Sequence, residues 1–194
     1  IPPAIAIEQK VNTRNPRSTV GTSTEIYEYL RLLYARVGRT YSPISGQEVK
    51  KHSPEDIVNC MLSYPEGTRY TVLTQILLRE GRTIEQQLEI DLKQGFNRIE
   101  VNGEMVRIDE YKPAQNDTVY LLVDRMSAAS TKDAISRLTD SAETAMYEGD
   151  GMCMLRFYLP DGTTKLHTFS TKFEADGITF EEPNDQMFSF NSPI

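Results

Sequence analysis

The sequence has no run of apolar residues approaching the roughly 18 to 20 that a membrane-spanning helix requires. It is also poor in the residues that build reactive or metal centres, with two cysteines, Cys60 and Cys153, and two histidines, His52 and His167, which are too few and too separated to suggest a metal cluster. Each cysteine sits among apolar neighbours. That setting reads as a small buried hydrophobe in a reducing cytoplasm rather than half of a disulfide or of a metal site. No glycine-rich phosphate loop, no GxGxxG after a strand, no HExxH and no Ser or Cys nucleophile with a nearby His is present. No catalytic constellation remains, and a stand-alone enzyme is disfavoured. Acids such as Glu181, Glu182 and Asp161 fall at turns, where solvation or turn hydrogen bonding accounts for them. An initiator Met and a signal-peptide pattern are missing, so a chain running from "IPPAIAIEQK" to "FSFNSPI" reads as an excised piece of a longer protein.

What is there suffices for a folded protein. With 194 residues, 39% of them hydrophobic, the chain can form one or two domains with a real core. A net charge of -7 argues against a surface given over to nucleic acid, because phosphate attraction needs a basic face. Charge is unevenly spread, however. Between Gln9 and Arg39 stand Lys10, Arg14, Arg17, Arg31, Arg36 and Arg39 against only Glu25 and Glu28, which leaves room for a local basic arm as well as for a solvated face.

Periodicity and turn chemistry give the elements. "AIAIEQ" (4–9) reads as a short strand. Thr22 with Glu25 predicts a capping box for the helix "EIYEYLRLLYARVG", which places Ile26, Tyr29, Leu30, Leu33 and Val37 on one face expected to be core. Ser53-Pro54-Glu55-Asp56 starts a second helix, and Thr83 with Gln86 a third, closed by Gly95. "RYTVLTQILL" (69–78) and "VYLLVDRMSA" read as strands. "NRIEVNGEMVRID" is a hairpin about Asn102-Gly103, and "MCMLRFYLPDGTTKLHTFS" another about Asp161-Gly162. Between them "STKDAISRLTDSAETAMYEGDG" forms a helix with Ile135, Leu138, Ala142 and Ala145 inward. The fold class is therefore α/β or α+β, a mixed and mostly antiparallel sheet with helices on one face. Its expected limits are 53–172, with 1–52 and 173–194 together outside, as when one domain is inserted into another.

"RTYSPISGQEV" (39–49) raises a separate question. Ser42-Pro43-Ile44-Ser45-Gly46 has the shape of a zinc-knuckle turn without thiolates, and neutral serine hydroxyls are poor zinc ligands.

The segment "IAIEQKVNTRNPRSTVGTSTEIYEYLRLLYARVG", followed by "YPEG" (64–67), "LVDR" (122–125), "RLTDSAETA" (137–145) and "FSFNSP" (188–193), resembles the UvrA family. That family supplies the damage-sensing component of the bacterial excinuclease ABC, built on two ATP-binding-cassette modules in one chain. The resemblance places the sequence within the first module, after its Walker A helix and before its signature sequence. It implies that 53–172 is an inserted domain that binds UvrB, the partner that verifies damage. It also implies that Gln9 is the Q-loop glutamine coupling ATP and magnesium to the adjoining subdomain. The chain itself lacks the Walker A lysine and the catalytic acid, so neither hydrolysis nor a bound cofactor is expected of it.

Further roles come from the same resemblance. Lys10, Arg14 and Arg17 become candidates for DNA-backbone contact, with a direct DNA-binding arm from Lys10 to Arg39 as the alternative function. Arg98, Arg125, Arg137 and Asp140 become candidates for the UvrB interface. Arg137 and Asp140, three apart on one helix, are equally readable as a surface pair, with Glu143 a further possible partner. In many relatives the equivalent of 42–46 reads Cys-Pro-x-Cys-Gly, and a second cysteine pair falls on Phe173 and Asp176 here. Both halves of the four-cysteine site are thus degenerate at Ser42, Ser45, Phe173 and Asp176. No metal is expected, and hydrogen bonds and packing that involves Phe173 are expected to replace it. The parent is expected to be a cytoplasmic homodimer that meets DNA and no membrane.

Overall fold

The computed structural model describes residues 19–46, 48–78, 81–175, 178–180, 182–184 and 187. The strand expected at 4–9, Gln9, Lys10, Arg14, Arg17, Asp176 and the stretch 188–193 lie outside the described residues. The described residues fall into two compact units, one within 49–180 and one drawn from the segments on either side.

The flanking unit begins with α1 (Val20–Ser23) and α2 (Ile26–Val37). The helix start expected at Thr22 and Glu25 is displaced. Thr22 lies inside α1, which Thr24 closes by donating its N–H and its hydroxyl to the Val20 carbonyl at 3.0 and 2.7 Å. Glu25 then takes the N-cap of α2 in a left-handed conformation, φ 62°, with no side-chain capping bond. The stripe Ile26, Tyr29, Leu30, Leu33 and Val37, expected to be core, is 44–72% exposed, and no residue of α2 is buried. The amphipathic pattern is real; its cover is not among the described residues.

The knuckle-shaped turn lies between β1 (Thr40–Tyr41) and β2 (Glu48–Val49), which pair as a two-stranded ribbon. Ser42 is buried, and its hydroxyl accepts the N–H groups of Ile44 at 3.2 Å and Ser45 at 3.5 Å. The Gly46 N–H closes on the Ser42 carbonyl at 2.9 Å, with φ 68° at Gly46, where a side chain would be strained. The serine oxygen thus organises the turn from within, as side-chain oxygens do in Ser/Thr turns.

In the larger unit, α3 (Pro54–Leu62) follows the Ser53 cap, whose N–H donates to the Asp56 carboxylate at 2.8 Å. β3 (Arg69–Gln75) leads to α4 (Ile84–Lys93), opened by the reciprocal Thr83/Gln86 box. β4 (Arg98–Val101) and β5 (Glu104–Arg107) turn at Asn102-Gly103, both at positive φ as a tight two-residue hairpin needs. β6 (Val119–Ser127), α5 (Lys132–Glu148), β7 (Met152–Tyr158) and β8 (Thr164–Ser170) complete the sheet, and β9 (Glu174–Ala175) pairs with β10 (Ile178–Thr179) beyond it.

The sheet runs β5-β4-β6-β3-β7-β8, antiparallel at every pairing. Tyr70 and Val72 of β3 pack with Ile57 and Met61 of α3 and with Leu138, Ala142 and Ala145 of α5. Thr74, two residues on and so on the same face, pairs with Leu121, which packs with Ile99 and with Leu88 of α4. All three helices therefore share one face.

The other face carries Leu73, Leu122 and Met154 and a buried ion pair. The Arg156 guanidinium reaches across β3 and β6 to the fully buried Glu100 carboxylate at 2.7–2.9 Å, and donates also to the Thr164 hydroxyl at 3.0 Å. Phe173, expected to help replace a metal, closes its own hairpin: its carbonyl accepts the Phe180 N–H at 2.8 Å and the two rings meet edge to face at 6.5 Å.

Candidate interaction surface

An irregularity in β6 organises this surface. Val72 pairs with Asp124 but Leu73 pairs with Leu122, so Val123 has no opposite residue and β6 carries a bulge. A bulge shifts the side-chain alternation and re-aims the residues beyond it. Asp124 is turned toward α5 and Arg125 onto the opposite face, beside its pairing partner Thr71.

Asp124 is then saturated with donors. The Arg137 guanidinium binds it in a two-pronged pair, Nε to Oδ2 at 2.9 Å and Nη2 to Oδ1 at 2.7 Å. The Ser141 hydroxyl donates at 2.9 Å, and the Arg125 backbone N–H at 2.7 Å. Burial pushes the Asp124 carboxyl up, yet the bonds from Arg137, Ser141 and the Arg125 amide outweigh it and hold it below the usual carboxylate range. Arg137 therefore pairs with Asp124 on β6 and not with Asp140 as the helical spacing suggested. Asp140 is exposed one turn further along α5. Sequence spacing offers the near acid; packing of α5 on β6 supplies the one that is better buried and better oriented.

Two adjoining grooves flank this part of β6. One, of about 270 Å³, is lined by Arg98, Leu122, Asp124, Arg125 and Arg137 together with the turn after α4. The other, of about 620 Å³, is lined by Arg69, Thr71, Met105, Arg125, Arg137 and Tyr158 among others. Arg125 and Arg137 border both. Three of the four residues expected at a partner interface, Arg98, Arg125 and Arg137, thus line one continuous region, and Asp140 does not. Among the described residues the side chains of Arg69, Arg98 and Arg125 have no ion-pair or hydrogen-bond partner. Four arginines face one carboxylate in a chain whose net charge is -7.

Arg69, Asp124 and Thr71 were missed by sequence reasoning. An aspartate directly after the apolar run "YLLV" of a strand was the available signal for Asp124. The Thr71 hydroxyl is buried with no hydrogen-bond partner, a rare and costly condition for a hydroxyl.

The family profile described as "UvrA interaction domain" matches residues 52–158, more than half of the chain and the whole of this surface. The chain belongs to the UvrA family. It is 41% identical over 198 residues to the UvrABC system protein A of Clostridium perfringens, 39% over 197 to that of Bacillus subtilis, and 38% over 200 to that of Streptomyces coelicolor. Each alignment takes in 99% of this chain and 19–20% of the relative, so the chain spans about a fifth of the length of these UvrA proteins.

The basic arm is partly neutralised where it is described. Arg31 pairs with Glu28 at 2.6 Å and Arg39 with Glu48 at 3.6 Å. Among the described residues no group of three or more His, Cys, Asp and Glu is placed to hold a metal ion, and no helix is long and apolar enough to cross a membrane.

Proposed function

We propose that this chain is the segment of a nucleotide-excision-repair ATPase that docks UvrB, and that its 49–180 unit is the docking module. The observation that carries the reading is the convergence of Arg98, Arg125 and Arg137 with Arg69 on grooves that hold a single acid. Three of those cations are without a partner among the described residues. Arginine is among the side chains enriched where protein partners are anchored, and its charge steers an acidic partner into place. In this reading Gln9 couples ATP and magnesium to the module, and ATP turnover, DNA contact through Lys10, Arg14 and Arg17, and dimerisation belong to the full-length cytoplasmic protein.

The test is affinity for UvrB, measured by surface plasmon resonance on full-length protein with and without Arg125→Glu. Loss of at least about tenfold in affinity on charge reversal, with unchanged retention of duplex DNA, supports the docking role. Unaltered UvrB binding removes Arg125 from the interface. No UvrB binding by the parent protein, with the isolated chain retaining DNA in a gel shift, would transfer the function to the basic arm.

A further inference from the structure

The bulge and the pairing of β6 leave half of that strand as an edge inside the sheet. β4 pairs with β6 only at Val119, Tyr120 and Leu121, and the chain before β4, Gly95–Asn97, forms no ladder with β6 and lines the groove beside it. From Leu122 to Ser127 the described residues place β3 on one side of β6 and no strand on the other. Ala128 bonds inward, its N–H to the Thr68 carbonyl and its carbonyl to the Gly67 N–H, both at 2.8 Å. Antiparallel strands alternate, so Met126 also faces β3 while Arg125 and Ser127 direct their backbone groups outward. The Arg125 N–H fits that geometry, because it bonds to the Asp124 carboxylate and not to β3.

An unpaired edge of this kind is a template for another strand, which sheets normally cover or blunt. Here a groove runs beside it, and its border is basic.

Resting on the docking role above, we propose that the partner binds by strand addition: an extended acidic segment pairs its backbone with Arg125 and Ser127 of β6. Its side chains fall alternately toward Arg137 on the helix face and toward Arg69, Arg98 and Arg125 on the other, so both grooves receive acids. The Asp124 carboxylate occupies the Arg125 amide until a carbonyl of the incoming strand replaces it, and Arg137 keeps hold of Asp124. Main-chain bonds supply affinity in such complexes and the flanking pockets supply the choice of sequence. The excess of arginines over acids at this border selects an acidic segment over a neutral or basic one.

The experiment compares Ser127→Pro with the parent in the full-length protein, with UvrB as the probe. Proline removes the outward amide of Ser127, leaves every bond between β6 and β3 in place, and follows an extended residue, Met126, as proline prefers. UvrB affinity is expected to fall at least about fivefold at an unchanged melting temperature, as loss of a main-chain hydrogen bond implies. Hydrogen–deuterium exchange of the unaltered protein, read on peptides spanning 122–130, is expected to slow at least about tenfold on adding UvrB. That second measurement decides the matter if the proline variant fails to fold. Unchanged exchange in this segment, with UvrB still lost on Arg125→Glu, overturns strand addition and leaves the docking role standing. Failure of the unaltered protein to bind UvrB overturns both.

Discussion

α2 and α5 carry the same kind of pattern and meet opposite fates. Each spaces apolar residues to form one continuous stripe. α5 buries Leu138, Ala142 and Ala145 against β3 and β7, whereas every stripe residue of α2 is exposed. Amphipathicity states that a helix needs a cover; it does not state that the cover belongs to the same stretch of chain. α5 finds its cover within 49–180, where sheet and helices form one core. α2 lies in a chain about a fifth the length of its relatives, and no described residue buries its stripe.

The sharpest test of that contrast is Leu138→Ala. Leu138 is fully buried at the centre of the largest core cluster, so the substitution removes buried methyl groups and leaves a cavity. A loss of about 3 kcal/mol is expected, within the roughly 2–5 kcal/mol range of such deletions. Urea denaturation followed by circular dichroism measures it, and a loss below about 1 kcal/mol would mean that the α5 face is far looser than its burial indicates.

A smaller effect separates the polar parts of the same unit. Asp91 in α4 is 2% exposed, and its Oδ1 accepts from the Gln87 amide at 2.8 Å, which in turn accepts from Arg82 at 2.8 Å. Burial pushes its carboxyl up, with Gln87 and Arg82 offsetting part of the rise. The sign follows: between the ordinary carboxylate value near 4 and the raised one, the folded state holds a proton that the unfolded state has lost. Stability therefore falls as pH rises through that window. Asp91→Asn keeps an oxygen for Gln87 and removes the charge. The variant is expected to be more stable than the parent at about pH 7, by less than the Leu138→Ala loss, with the difference fading below about pH 4. Melting temperatures across that pH range measure it, and an Asn variant less stable than the parent at neutral pH contradicts the sign. Asp124 titrates the opposite way: its stabilisation is present at neutral pH and is lost as pH falls through its depressed value.

Most of the 49–180 unit was legible because its signals are local. The Ser53 and Thr83 caps and the Asn102-Gly103 turn each need only a few consecutive residues, and each forms as read. The Thr22/Glu25 pattern was a local signal that failed, because Thr24 closes α1 first and a new helix starts one residue beyond Glu25. The surface was half legible. Arginines attract attention in any sequence, and Arg98, Arg125 and Arg137 do line one region. The bulge at Val123 and the Arg137–Asp124 pair depend on the register of β6 against β3 and on how α5 lies across it. No spacing along the chain encodes that register, so the eye settles on Asp140, the nearest acid on the same helix.

Leu33→Ala is the smallest effect and the one that returns to the contrast. Leu33 is 53% exposed, so truncating it in this chain is expected to change the unfolding free energy by no more than about 0.5 kcal/mol, as for surface positions generally. The same substitution in the full-length protein is expected to cost about 2 kcal/mol or more if its side chain is buried there. The difference between the two measurements, made under one set of conditions, is the contribution of the missing cover. A cost in this chain comparable to that of Leu138→Ala would show that the α2 stripe is already buried without it, and the distinction between the two helices would vanish.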